Sequence, residues 1–199
     1  MFKKKKSYVL FFLIYFFLHT SVFALDPEIF VQSTVNRASN ILSQEISKEE
    51  KMQELKEIAK DTVDIRGIGF YTLGSIRKSL NDEEKKTYST LFEQYFLKSF
   101  SSRLAEYTNP EIDVLSKEKL NDNYTIVNSL LKGTKERPEI KIDWRIYTKN
   151  QDKPLIRDLI IEGLSLARTQ KEEFNSVLQT NNNDINALFE TLKNFVNKD

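Results

Sequence analysis

Ile140-Lys141-Ile142-Asp143-Trp144-Arg145-Ile146-Tyr147 alternates apolar and polar residues without a break. A side-chain period of two belongs to a strand with one face buried and one face wet. Ile140, Ile142, Trp144 and Ile146 therefore face a core, and Lys141, Asp143, Arg145 and Tyr147 face away from it. Downstream, Pro154 introduces Leu155 to Glu162, apolar enough for a central strand. Upstream, Tyr124 to Leu131 is rich in β-formers, and Glu111 to Leu115 is a short further candidate. Lys132-Gly133-Thr134 and Asn150-Gln151-Asp152 read as the connecting loops. Short loops between consecutive strands predict an antiparallel meander.

Helical patterns flank this block. Asp26-Pro27 is a start signal, an acidic N-cap followed by proline in the first turn. Ile29, Phe30, Val35, Ala38, Ile41 and Leu42 recur behind it at helical spacing. Ser47-Lys48-Glu49-Glu50 is a capping box for a second helix through about Val63, with Met52, Leu55, Ile58 and Ala59 as its buried stripe. Asp64 to Leu80 is short and punctuated by Gly67, Gly69 and Gly74, which points to close backbone approach. Asn81-Asp82-Glu83-Glu84 caps the longest helix, expected to run to about Tyr107. Its apolar face is Tyr88, Leu91, Phe92, Tyr95, Phe96, Phe100, Leu104 and Tyr107. Helical spacing returns at Leu166 to Leu178 and at Ile185 to Val196, with Asn181-Asn182-Asn183 as the turn between them. Helices, then strands, then helices predict an α+β fold: a twisted antiparallel sheet wrapped on one side by helices.

The N-terminus reads as an export signal. Lys3 to Lys6 form a positive region, Tyr8 to Leu18 is almost unbroken apolar sequence, and Val22-Phe23-Ala24 suits cleavage after Ala24. The expected organisation is a signal peptide over residues 1–24 and one domain over residues 25–199. Beyond Ala24 the chain has 26 basic and 29 acidic residues, net −3, with no basic stripe for nucleic acid. It has no cysteine, and the one histidine, His19, lies in the expected leader. That removes Cys–His pairs, Ser-His-Asp triads and imidazole or thiolate metal clusters from the available chemistry.

Two enzymatic readings remain to be weighed. Asp143 and Asp158 fall in neighbouring expected strands and could face each other as an acid–base pair. The plainer alternative makes them outward residues or partners of Arg145 and Arg157. Ser165 sits in Gly163-Leu164-Ser165-Leu166-Ala167, which lacks the second glycine of a nucleophile elbow. The aromatic stripe of the long helix suits either a filled core or the wall of a cavity for apolar ligands.

A set of segments runs in a recognisable order. Asp26-Pro27-x-x-Phe30-Val31-Gln32 comes first, then Asp64-Ile65-x-x-Ile68 with Leu73-Gly74, and Leu80-Asn81-x-Glu83-Glu84 leading into Tyr88, Phe92, Tyr95 and Tyr107. Trp144-Arg145 and Asp158-x-x-Ile161-Glu162-Gly163-Leu164-Ser165-Leu166 follow, and Gln170-Lys171-x-x-Phe174 and Asp184-Ile185 close the series. Together they resemble the MlaC family, the toluene-tolerance type of periplasmic phospholipid-binding protein. The resemblance spans nearly all of residues 25–199, and the Asp158 to Leu166 block is its most specific part. Gly67, Gly69, Lys171 and Asn183 depart from the usual pattern; glycine often stands where Asn183 does.

The resemblance implies a cystatin-like curved sheet and a shuttle without catalysis or a cofactor of its own. Such a protein carries phospholipid across the periplasm between an outer-membrane lipoprotein/porin complex and an inner-membrane ABC transporter, maintaining outer-membrane lipid asymmetry. A diacyl lipid has on the order of 30 methylenes, each worth about 0.8 kcal/mol out of water, so unaided transit is prohibitive. Candidate tail contacts are Phe70, Leu73, Phe92, Tyr95, Phe96, Val127, Trp144, Leu159, Ile161 and Leu164. A hopanoid or hydrophobic-solvent carrier is the close alternative, and a non-lipid periplasmic adaptor the more distant one.

Overall fold

Eight backbone partners join Tyr124–Leu131 to Ile140–Tyr147 without a slip, and the rest of the sheet is laid on that pair. The structure, a computed structural model, describes residues 25–135 and 137–198. The expected signal peptide and its cleavage after Ala24 lie outside the described residues. Strands β1 (Ile112–Asn121), β2 (Tyr124–Leu131), β3 (Ile140–Tyr147), β4 (Leu155–Ile161) and β5 (Leu164–Ser165) form one antiparallel sheet in the order β1-β2-β3-β4-β5. Helices α1 (Pro27–Ser43), α2 (Lys48–Thr62), α3 (Ile65–Thr72) and α4 (Asp82–Leu104) precede it; α5 (Leu166–Thr180) and α6 (Ile185–Asn197) follow. The fold is the expected α+β meander. None of the described helices is long and apolar enough to cross a membrane.

The helix starts follow local chemistry. The Asp26 carboxylate accepts from the Glu28 N–H at 2.9 Å, and Pro27 occupies the first turn. Ser47 and Glu50 bond reciprocally across the start of α2, as Asn81 and Glu84 do across the start of α4. Asn182 and Asn183 have φ of 53° and 60° in the α5–α6 turn. Asparagine tolerates this left-handed region, which accounts for its standing where glycine is common.

Several elements differ from the sequence reading. The glycine-punctuated stretch forms α3, because Asp64 caps it by accepting from the Gly67 N–H at 2.8 Å. β1 extends to Asn121 rather than Leu115, since pairing with β2 outweighs the poor strand propensity of Ser116 to Lys119. Leu115 and Leu120 fall at register shifts in that ladder and are exposed. Bulges and lysines on an edge strand hinder pairing with other chains. α4 ends at Leu104, about a turn before Tyr107. Its most buried side chains are Tyr88, Phe92, Leu97 and Ser101, because α2, α3 and α6 all pack on it and the apolar face is broader than one stripe. Ile29, placed in the stripe of α1, is 63% exposed.

Gly69 shows what the glycines are for. A Cβ there would lie 2.8 Å from Phe92 Cδ1. Elsewhere in a helix, glycine-to-alanine gains up to about 1 kcal/mol. Here the Phe92 ring is itself held by four aromatic neighbours and cannot retreat. Gly69→Ala is therefore expected to destabilise by about 1–3 kcal/mol, the usual cost of overpacking. A rise in denaturation midpoint for that variant would show that α3 and α4 can separate freely.

Candidate functional site

The sheet presents one continuous apolar face to the helices. Cα partners set Val127 opposite Trp144 and Trp144 opposite Leu159, a row across β2, β3 and β4. The next row runs Val114–Ser129–Ile142–Ile161–Leu164, and the one beyond it Ile112–Leu131–Ile140. On the other side of the Trp144 row lie Thr125, Ile146 and Ile156. Val127 and Ile146 are fully buried, whereas Ile112, Val114, Leu131, Ile140 and Leu159 are partly buried against the core. Burial is thus deepest around Thr125–Ile156 and Val127, and it thins towards Leu131 and Ile140.

Above this face, Phe92 has ring centroids of Tyr88 at 5.7 Å, Phe96 at 6.2 Å and Phe174 at 6.2 Å, the last edge-on. Phe96 stacks on half-buried Phe100 at 5.7 Å. Backbone approaches to the strands come mainly from α1, α3 and α5, while those of α4 run to α2, α3 and α6. Phe92 and the aromatic side chains around it belong to one core cluster with Val127 and Trp144.

Nine of the ten candidate contacts lie in or against this region. Leu73, Phe92, Val127 and Trp144 are buried; Phe70, Tyr95, Phe96 and Leu159 are partly buried against the same core, and Ile161 extends the sheet face. The Arg66 guanidinium covers the Phe70 ring at 5.5 Å. Tyr95 turns towards α5 and α6: its hydroxyl bonds Gln170 at 2.7 Å, and its ring lies 4.7 Å from that of Phe195. Burial raises the Tyr95 hydroxyl above its ordinary pKa, so it stays neutral. Leu164 stands apart from the other nine. It pairs with Ile161 but is 59% exposed, because the two-residue turn Glu162-Gly163, with φ of 48° and 82°, leaves it at the sheet margin. Ser129 and Ile142 were missed, although Ser129 shares the strand parity of Val127.

Phe92, Val127 and Trp144, expected to line a cavity, are packed in the buried core. Two depressions of about 240 and 320 Å³ lie at the surface, and none of the ten candidates lines either. Both are at or below the low end of the roughly 300–1,000 Å³ of small-molecule pockets. The aromatic side chains of α4 pack on one another and on Phe174 of α5.

The carboxylates are held in hydrogen bonds and ion pairs. The ladder sets Asp158 opposite Arg145 and Asp143 opposite Ile160, so the two acids are not cross-strand partners. Asp158 is 3% exposed. It accepts from Ser165 Oγ at 2.6 Å and from the Ala167 N–H at 3.0 Å, with Arg145 Nη1 at 3.4 Å. Asp143 accepts from Asn128 at 2.8 Å and meets Lys141 at 3.5 Å. Arg157 bonds Asp64 at 2.5 and 2.6 Å and the Tyr124 hydroxyl at 2.8 Å. Ser165 caps α5 by accepting from the Arg168 N–H at 3.1 Å. The Asp158 to Leu166 block is thus a clamp that ties the β4–β5 hairpin to the start of α5.

Comparison with known proteins places this arrangement. The family model described as MlaC protein matches residues 32–194. The fold is similar to that of a phospholipid-binding protein from Ralstonia solanacearum, solved in complex with a phospholipid. The TM-score is 0.73 at 15% identity, covering 86% of this chain and 97% of the other.

Proposed function

The chain belongs to the MlaC family, and from that membership we propose that it is a periplasmic phospholipid carrier. In this reading it takes lipid from one membrane complex and delivers it to another, between an outer-membrane lipoprotein/porin complex and an inner-membrane ABC transporter. The observation that supports it most is the apolar sheet face centred on Val127–Trp144–Leu159, whose margin is only partly buried. Acyl chains enter from the Leu131–Ile140 side and displace Phe96 and Phe100 from the face. Leu73, Phe92, Val127 and Trp144 line the deep part, and Phe70, Leu159 and Ile161 the shallower part. The phospholipid bound by the Ralstonia solanacearum protein, which shares this fold, favours the same ligand class here. The work is binding and release, with no bond made or broken.

A second reading is a periplasmic adaptor that holds no lipid. The burial of Phe92, Val127 and Trp144 in one core cluster favours it, since an adaptor needs only a filled core. Transfer between vesicles separates the two. A carrier speeds movement of a fluorescent phospholipid from donor to acceptor vesicles in proportion to its concentration. A rate that stays at the spontaneous level supports the adaptor.

A further inference from the structure

Trp144 is the one tryptophan in the chain, and its indole is held in an informative place. The residue directly opposite it on β2 is Val127. Its indole N–H instead donates to Ser129 Oγ at 2.8 Å, two residues along that strand. Ser129 is fully buried, and its hydroxyl donates in turn to the Ile142 carbonyl at 3.0 Å. A seryl oxygen stands only one bond beyond Cβ. For the indole nitrogen to reach it, the ring must lean along the sheet rather than stand up towards the helices.

Both polar groups satisfy each other at sheet level. What the indole presents to the rest of the core cluster is then hydrocarbon alone. Without the Ser129 hydroxyl, the indole N–H has no partner on an apolar face, and a buried donor seeks another acceptor or water. The ring would then leave the sheet surface and press into the core cluster above it.

We infer that Ser129 is a positioning residue for lipid binding: it holds Trp144 down as the floor of the volume that takes the acyl chains, and so sets its depth. The inference rests on the phospholipid-carrier reading. It assigns Ser129 no contact with lipid, only an effect transmitted through Trp144.

The test uses tryptophan emission, which reports this site alone, and phosphatidylglycerol brominated midway along its acyl chains as quencher. The wild-type protein should co-purify with lipid, and exchange into the brominated lipid should strongly quench Trp144. Ser129→Ala should unfold cooperatively yet emit further to the red, quench about threefold less and retain about fivefold less lipid. Should it fail to fold, Ser129→Cys, whose thiol is a weaker acceptor, reads the same quantities. The deciding measurement is a double-mutant cycle. In a Trp144→Phe background, which has no N–H to hold, removing the Ser129 hydroxyl should leave lipid retention unchanged. An equal loss in both backgrounds, or unaltered emission and lipid in Ser129→Ala, overturns the inference while leaving the carrier reading intact. A wild-type protein with neither lipid nor quenching overturns both.

Discussion

Leu159→Glu is expected to lower the phospholipid recovered per mole of purified protein by more than tenfold while the protein stays folded. Leu159 lies beside Trp144 on the inner face of the sheet and is only partly buried. In the lipid-free molecule a carboxylate there keeps some access to water. With acyl chains against the sheet it would be sealed in hydrocarbon, at a cost of several kcal/mol or an uptake of a proton. A tenfold loss of affinity requires only about 1.4 kcal/mol, so the desolvation term decides the outcome. Leu164→Glu is the matched control. Its side chain stands at the sheet margin, 59% exposed, and lipid recovery should stay within about twofold, because exposed positions exact little. Phosphorus assayed in an organic extract, with circular dichroism on the same samples, gives both readings. Equal losses from the two variants, or lipid retained by Leu159→Glu, would mean that the tails do not lie against this face.

Asp158→Ala is expected to cost about 3 kcal/mol of stability. Its removal orphans the buried N–H of Ala167 and the Ser165 hydroxyl, each worth about 1–3 kcal/mol when left without an acceptor. It also deletes a negative charge at the start of α5, a further 0.3–1 kcal/mol on the usual scale. The Arg145 bridge adds little, since that side chain is 37% exposed and the contact is 3.4 Å long. For a domain of this size the midpoint of thermal unfolding should fall by about 6–12 °C. Asp143→Ala, whose carboxylate is held among the described residues by Asn128 and Lys141, should cost less than about 1 kcal/mol. The contrast also tests the acid–base alternative. A catalytic pair would lose activity from either substitution, whereas the clamp predicts unequal losses of stability.

What could be read from the chain follows from where the physics is local. The Ile140–Tyr147 alternation located a strand because one face of it is dry along its whole length. Caps at Asp26, Ser47 and Asn81 located helix starts because their bonds close within three residues. β1 beyond Leu115 carries no such signal: it is an edge strand exposed on both sides, and only its ladder to β2 holds it extended. α3 was hidden by its glycines: the close approach that Gly69 allows is to Phe92, 23 residues away. Leu164 belongs to a turn-and-cap device that leaves it at the sheet margin, where it is exposed. The apolar faces were legible, yet whether they enclose a hollow or meet each other is set by helix-to-sheet spacing, which no residue pattern encodes. The Ser129–Trp144 bond was out of reach for the same reason, since it joins two strands diagonally.

The central claim is that this molecule carries phospholipid between its sheet and its helices. Native mass spectrometry of the protein purified from its own cell envelope tests it most directly. The account predicts a polypeptide mass increased by that of a bound phospholipid, lost on organic extraction, with the same lipid identified in the extract. The bare polypeptide mass, under conditions that preserve non-covalent complexes and with no lipid in the extract, would contradict it.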